Sequence, residues 1–181
     1  MILQSEERIL FNKNWLGLLA YVNDKQKIIS DFGHPKKPFG VKPEHIIKIK
    51  TVLWKNNNLI EEYIKSKKRI SESDFQLLNS WKKRLFNNFI ILRFLKKYTV
   101  FLDEKKKLLY GVIGITNPLS DMIDEHCLPM MTETTLMPFY DRIIYDGTLS
   151  CYNISFGLNF RRHYKELYSE IKAKKGIICS L

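Results

Sequence analysis

Leu136-Met137-Pro138-Phe139-Tyr140-Asp141-Arg142-Ile143-Ile144-Tyr145-Asp146-Gly147 sets two short apolar runs on either side of a polar Asp141-Arg142 step and closes on an Asp-Gly turn signal. That order reads as strand, bend, strand, turn. Upstream, the hydrophobic period changes after Asn87 and Asn88. Residues 89–95 are rich in Ile, Leu and Phe, and residues 98–102 and 108–115 flank the charged hairpin loop Asp103-Glu104-Lys105-Lys106-Lys107. These runs predict three antiparallel strands. Thr116-Asn117-Pro118 punctuates, residues 119–123 fit one helical turn, and Pro129 restarts the chain before the strand pair. Five strands at this spacing predict a five-stranded antiparallel sheet, strongly bent, or a small barrel.

The remainder is helical in period. Ser5, followed by Glu6 and Glu7, reads as an N-cap, and Phe11, Trp15, Leu18, Leu19 and Val22 recur on one helical face. An irregular segment over residues 23–42 carries Gly33, Pro35, Pro38 and Gly40, with Phe32 and Phe39 as its expected anchors and His34 without a visible partner. Pro43 opens a second helix with Ile46, Ile49 and Leu53 inward, and the Asn56-Asn57-Asn58 run breaks it. Leu59, Ile60, Tyr63 and Ile64 mark a third, short helix. Ser71 with Asp74 three residues on approximates a capping box for a fourth, using Phe75, Leu78, Trp81 and Leu85. Near the end, Phe160, Tyr164, Leu167, Tyr168 and Ile171 mark an amphipathic helix stopped by Gly176, and residues 177–181 fit an edge strand. The fold class read from this is α+β: an N-terminal helical bundle over residues 1–87, and an antiparallel sheet or barrel with a C-terminal helix over residues 88–181, expected to pack as one unit.

At 181 residues and 45% hydrophobic content the chain has enough apolar surface for an ordinary core, which excludes a disordered tail. No apolar run approaches the roughly 20 residues that cross a bilayer. The opening Met-Ile-Leu-Gln-Ser-Glu-Glu-Arg lacks the order of a signal peptide, so the expected location is the cytoplasm. Cys127, Cys151 and Cys179 are widely spaced and form no Cys-x-x-Cys pair, so they read as buried or incidental thiols rather than a zinc site or a disulfide framework. Neither a metal nor a cofactor is expected. The formal charge of +11 is uneven: residues 1–107 hold 23 basic and 11 acidic side chains, 108–157 hold one and six, and 158–181 hold six and two. This asymmetry suits RNA, another polyanion or an acidic protein. The basic excess is mainly Lys, 23 against 7 Arg, amid many Asn and Ile, which is also what codon bias and solvated helix faces produce.

Several segments taken together resemble an uncharacterised family of bacterial proteins. They are Ser80-Trp81-Lys82-Lys83, the run from Leu95 to Leu102, Tyr110-Gly111-Val112-Ile113-Gly114-Ile115, the stretch quoted at the outset, Tyr152-Asn153-Ile154-Ser155-Phe156-Gly157 with Arg161-Arg162, and Ile177-Ile178-Cys179-Ser180-Leu181. Some relatives in that family carry a cysteine-rich zinc tail of the SEC-C type, a module associated with protein contacts, and this sequence shows none. The resemblance covers most of the chain and implies no active site.

No Gly-rich phosphate loop, His-Glu-x-x-His or nucleophile-elbow pattern occurs. Asn153, Arg161, Arg162 and His163 form the better binding candidate: if the last helix starts near Leu158, they gather at its N-terminus and suit an anion or carboxylate. Arg162 and His163 equally suit pairing with Glu166 and Glu170 one turn on. Asp141, Arg142, Tyr145 and Asp146 are the weaker candidates. Two carboxylates beside a cation suit general-acid chemistry, yet Asp146-Gly147 is ordinary turn chemistry and Asp141-Arg142 fits an exposed bend. The basic, aromatic run from Trp81 to Tyr98 suits base stacking only if its rings are exposed. Three functional readings stand: a non-enzymatic protein binding RNA or another polyanion, a protein-interaction module acting as adaptor or inhibitor, and an enzyme without a recognisable motif.

Overall fold

The computed structural model describes every residue except 31, 33–41, 57, 153 and 155. The expected anchor Phe39 and the lone His34 lie outside the described residues. The chain is an α+β protein that divides into two compact units, Gln4–Lys82 and a second made of Met1–Leu3 with Lys83–Leu181.

The first unit contains α1 (Ser5–Gln26), α2 (Pro43–Lys55), α3 (Asn58–Ser66) and α4 (Glu72–Ser80). Gln4, not Ser5, caps α1: the Gln4 side chain and Glu7 form a reciprocal capping box, which shifts the helix start by one residue. Pro43 opens α2 as its period implies. Ser71 Oγ accepts from the Asp74 amide to cap α4. This helix ends at Ser80, earlier than the pattern suggested, and Leu85 begins a strand instead. Phe75 is also exposed, while Leu77 and Leu78 fill the inward positions.

Rings cement this unit. Trp15 stacks on Trp54 with centroids 5.6 Å apart, and Trp81 meets both Phe11 and Trp15 edge-on at 5.9 Å. The space beside Gly17 is occupied too: a Cβ there would collide with the hydroxyl of buried Tyr63. Gly17→Ala is therefore expected to destabilise the helical unit by about 1–3 kcal/mol despite alanine's better helix propensity. Adding Tyr63→Phe removes the colliding hydroxyl and should restore most of that loss. Urea titration of both variants, followed by tryptophan fluorescence, checks the pair, and equal losses would show that the collision is not the cause.

The second unit is built on β1 (Leu85–Phe94), β2 (Thr99–Asp103), β3 (Leu108–Ile113), β4 (Met130–Phe139), β5 (Arg142–Tyr145), β6 (Ser150–Cys151) and α5 (Leu158–Lys175). The stretch from Leu136 to Gly147 supplies the end of β4, a tight Tyr140-Asp141 turn with Tyr140 at φ 54°, and β5. Strands run in the order β1-β2-β3-β5-β4, and β4 returns to pair with β1, closing a five-stranded barrel. One ladder departs from the all-antiparallel expectation: β3 and β5 are parallel, at Val112↔Ile143 and Ile113↔Ile144. The barrel is therefore mixed, with four antiparallel ladders and this one parallel ladder closing it.

β1 serves two partners by bending. Its first part pairs with β4 from Leu85↔Leu136 to Ile91↔Met130, and its end pairs with β2 across a register shift between Ile91 and Arg93. Inside the barrel Phe89 meets Phe101 and Tyr110 edge-on. Outside, Ile90, Val100, Leu102 and Leu109 are buried beneath Tyr164, Leu167, Tyr168 and Ile171 of α5. The helix ends where Gly176 takes φ 72°, a conformation glycine adopts without strain. Residues 177–181 give only a single bridge, Ile178 to Tyr110, in place of an edge strand, and at the other terminus Ile2 bridges Gly114. All three cysteines are exposed and unpaired.

Candidate functional site

β2 and β3 turn one face away from the barrel interior, the face that carries Val100, Leu102 and Leu109. α5 covers that face. The open concavity lies on the flank of the helix, where the end of β1, the coil before β4 and the first turns of α5 meet.

Three cavities adjoin there. The central one, about 210 Å³, is lined by Arg93, Leu128, Arg161, Tyr164, Lys165 and Tyr168. It shares Leu92, Arg93 and Leu128 with a neighbour of about 380 Å³, to which Glu125 contributes. On the other side it shares Arg161 with a cavity of about 260 Å³ lined by residues that include Met130, Tyr152, Ile154 and Phe156.

Local structure explains this convergence. The register shift in β1 re-aims the side chains at its end, and Arg93 lies 4.3 Å over the ring of Tyr168. On α5, Arg161, Tyr164, Lys165 and Tyr168 follow one another at the three- and four-residue spacing of one helical face. Tyr164 is buried, and its hydroxyl donates to Glu104 Oε1 at 3.3 Å. Burial and the Glu104 carboxylate push its pKa up to about 12, so it is a neutral hydrogen-bonding wall at any physiological pH. Arg161 is oriented by two backbone carbonyls: Nε donates to Phe156 at 3.1 Å and Nη2 to His126 at 3.3 Å. Across the three cavities, three cations and three tyrosines, Tyr152, Tyr164 and Tyr168, thus face a concavity whose described lining contains one acid, Glu125.

The candidates drawn from the sequence separate on this frame. Arg161 belongs to the groove. Arg162 is exposed on α5 and outside the described lining of the groove. His163 is exposed, packs its ring 5.5 Å from that of Tyr164, and lines a different, shallow hollow with Asn159 and Phe160. Asn153 lies outside the described residues.

Asp141, Arg142, Tyr145 and Asp146 form a structured turn with its flanks rather than a convergent site. Asp141 is exposed and 3.5 Å from Arg142 Nε, and the Arg142 guanidinium lies 5.5 Å from the centre of the Phe139 ring. Tyr145 is buried and donates to Met122 Sδ at 3.8 Å; burial, then the Asp146 charge, raises its pKa. Asp146 is fully buried, and its Oδ1 accepts from the amide of Thr148 at 3.0 Å and its hydroxyl at 2.7 Å, the bonding of an Asx turn.

In the basic aromatic run, Trp81 and Phe89 are core residues, Phe94 and Tyr98 are half-buried and Phe86 is exposed, so the run forms no continuous stacking platform. Arg93, Lys165, Tyr164 and Tyr168 were visible singly in the sequence but not as a set. Their meeting depends on a contact across 75 residues of chain, for which no local pattern exists.

Among the described residues no helix is long and apolar enough to cross a membrane, and no group of three His, Cys, Asp or Glu side chains is placed to hold a metal ion. Comparison with protein-family models, with curated proteins and with solved structures returns no match for this chain.

Proposed function

We propose that this protein is a non-enzymatic, cytoplasmic binding protein for RNA or a related polyanion, engaged along the groove between the end of β1 and α5. The observation that carries the reading is the convergence of Arg93, Arg161 and Lys165 from two elements on one concavity that Tyr164 and Tyr168 also line. Cations grouped this way meet successive phosphates, and the neighbouring rings suit stacking or packing against sugars and bases. The net charge of +11 adds long-range attraction.

The second reading, a protein-interaction module, is favoured by another observation. Leu158 is 86% exposed and Phe160 57%, an apolar tip where α5 begins.

A salt series separates them. Wild type is expected to bind mixed cellular RNA with affinity that falls steeply as salt rises, and Arg93→Glu/Lys165→Glu should weaken binding about 100-fold while flattening the log–log salt slope by roughly 1–2. Binding that ignores salt, or a variant that binds as wild type does, would overturn the polyanion reading and direct attention to the apolar tip.

A further inference from the structure

We infer that the groove recognises single-stranded nucleic acid by taking one base into the cavity beside Tyr152, Ile154 and Phe156, with the flanking phosphates on Arg93, Arg161 and Lys165. The inference rests on the polyanion reading and goes beyond it, because a polyanion site needs cations alone. Here the groove has two chemically distinct halves with Arg161 as their common wall.

The first half is cationic. The second is lined by Met130, Tyr152, Ile154 and Phe156 together with His126, Cys127 and the shared Arg161, and its volume of about 260 Å³ exceeds that of the cationic half, about 210 Å³. Tyr152 is 40% exposed and Ile154 48%, so these two side chains stand open at the mouth of the cavity. The Tyr152 ring is also held in place: its hydroxyl donates to Asn88 Oδ1 at 3.2 Å and its amide to the Met131 carbonyl at 3.0 Å. A tethered ring with an accessible surface is a pre-organised stacking partner, and every base offers it a π-face. Arg161 is fixed on the carbonyls of His126 and Phe156, so the cation between the halves is positioned as well. An alternation of cation and apolar pocket at this scale matches a nucleotide, in which phosphate and base are joined through one sugar.

A duplex keeps its bases stacked inside and offers the apolar half nothing. Polyphosphate and abasic strands have no base to offer. The ligand chemistry named here is therefore an unpaired nucleotide within a strand.

The test compares three fluorescent ligands of equal length: a ten-nucleotide oligoadenylate RNA, its abasic counterpart and an RNA duplex. Each is titrated into wild-type protein, Tyr152→Ala and Tyr152→Phe at one moderate salt concentration, with circular dichroism verifying that each variant is folded. The expected result is binding of oligoadenylate about tenfold tighter than the abasic strand. Tyr152→Ala should abolish that preference by weakening oligoadenylate binding to the level of the abasic strand, and Tyr152→Phe, which keeps the ring, should retain most of it. Equal binding of the two strands, or a preference that survives Tyr152→Ala, overturns the base cavity while salt-dependent binding keeps the polyanion reading intact. If none of the three ligands binds, both fall.

Discussion

Replacing Phe101 with alanine is expected to lower the unfolding free energy of the barrel unit by about 3–5 kcal/mol. Phe101 has 0% exposure, meets Phe89 edge-on at 6.2 Å, and stands between Ile91 of β1 and Tyr110 of β3 across the two ladders. The cost of such a deletion depends on how far the surroundings collapse into the void. In this barrel β2 is hydrogen-bonded on both sides within a closed circuit, so no strand slides freely and the cavity persists. Hydrogen–deuterium exchange of the β2 and β3 amides across a urea series follows the barrel, since Tyr21, Tyr63 and the tryptophans of the helical unit also contribute to near-UV circular dichroism. Trp15, Trp54 and Trp81, the chain's three tryptophans, all lie in the Gln4–Lys82 unit, so fluorescence of the same sample follows the other unit. Phe160→Ala, at a ring 57% exposed, is the reference substitution and should change stability by less than about 0.5 kcal/mol. A loss below about 1 kcal/mol at Phe101 would mean that the interior repacks around the void.

Asp74→Ala is expected to cost the helical unit about 2–3 kcal/mol. The carboxylate accepts from Asn14 Nδ2 and from Lys13 Nζ, each at 2.7 Å, and so ties α4 to α1. Asn14 is 2% exposed, so water does not readily replace the lost acceptor. Burial by itself would raise the pKa of Asp74. The bonds from Asn14, Lys13 and Ser71, together with the charge of Lys13, outweigh it and hold the pKa below the ordinary 3.8.

The sign of the pH dependence follows. The folded chain binds this proton more weakly than the unfolded chain, so the carboxylate's contribution is complete well above pH 3.8 and is lost as pH falls through the lower folded value. Urea midpoints read by tryptophan fluorescence should therefore drop more steeply below pH 3.8 in wild type than in Asp74→Ala. Parallel curves would remove Asp74 from the account. Asp74→Asn, which retains an acceptor for Asn14 but not the charge for Lys13, should fall between the two.

Local signals carried far in this chain where one element decides its own form. Pro43 at the start of α2, Ser71 capping α4 and Gly176 ending α5 are features of single residues acting on neighbouring backbone, and each stands where its chemistry implies. The charged loop at residues 103–107 likewise joins β2 to β3. Errors cluster where tertiary contacts overrode the local period. Leu85 continues the apolar pattern of α4 but belongs to β1, because its backbone pairs with Leu136. Thr132, Thr134 and Thr135 look polar in sequence, yet all three are buried in β4, a strand with partners on both sides. The parallel β3–β5 ladder was invisible for the same reason: hairpins announce themselves through turns, whereas a parallel pair is made by strands distant in sequence.

The candidate site shows the same division. Arg161 stood out because two arginines follow a connector at a helix start. Arg93 did not, because its role comes from a register shift and a ring that approaches from α5.

Closure of the barrel also bears on behaviour at high concentration. Phe89-Ile90-Ile91-Leu92 and Leu136-Met137-Pro138-Phe139 are apolar windows of the kind that seed intermolecular β-sheets when their backbone groups are unpaired. The ladder from Leu85↔Leu136 to Ile91↔Met130 sets the first window against β4, and the ladder from Leu136↔Tyr145 to Phe139↔Arg142 sets the second against β5. Asn87 and Asn88 before the first window, Arg93 after it and Pro138 within the second act as gatekeepers against stacking between chains. Resistance to aggregation is thus divided between two seams, β1–β4 for the first window and β4–β5 for the second, and a substitution that opened either one would expose a sticky segment.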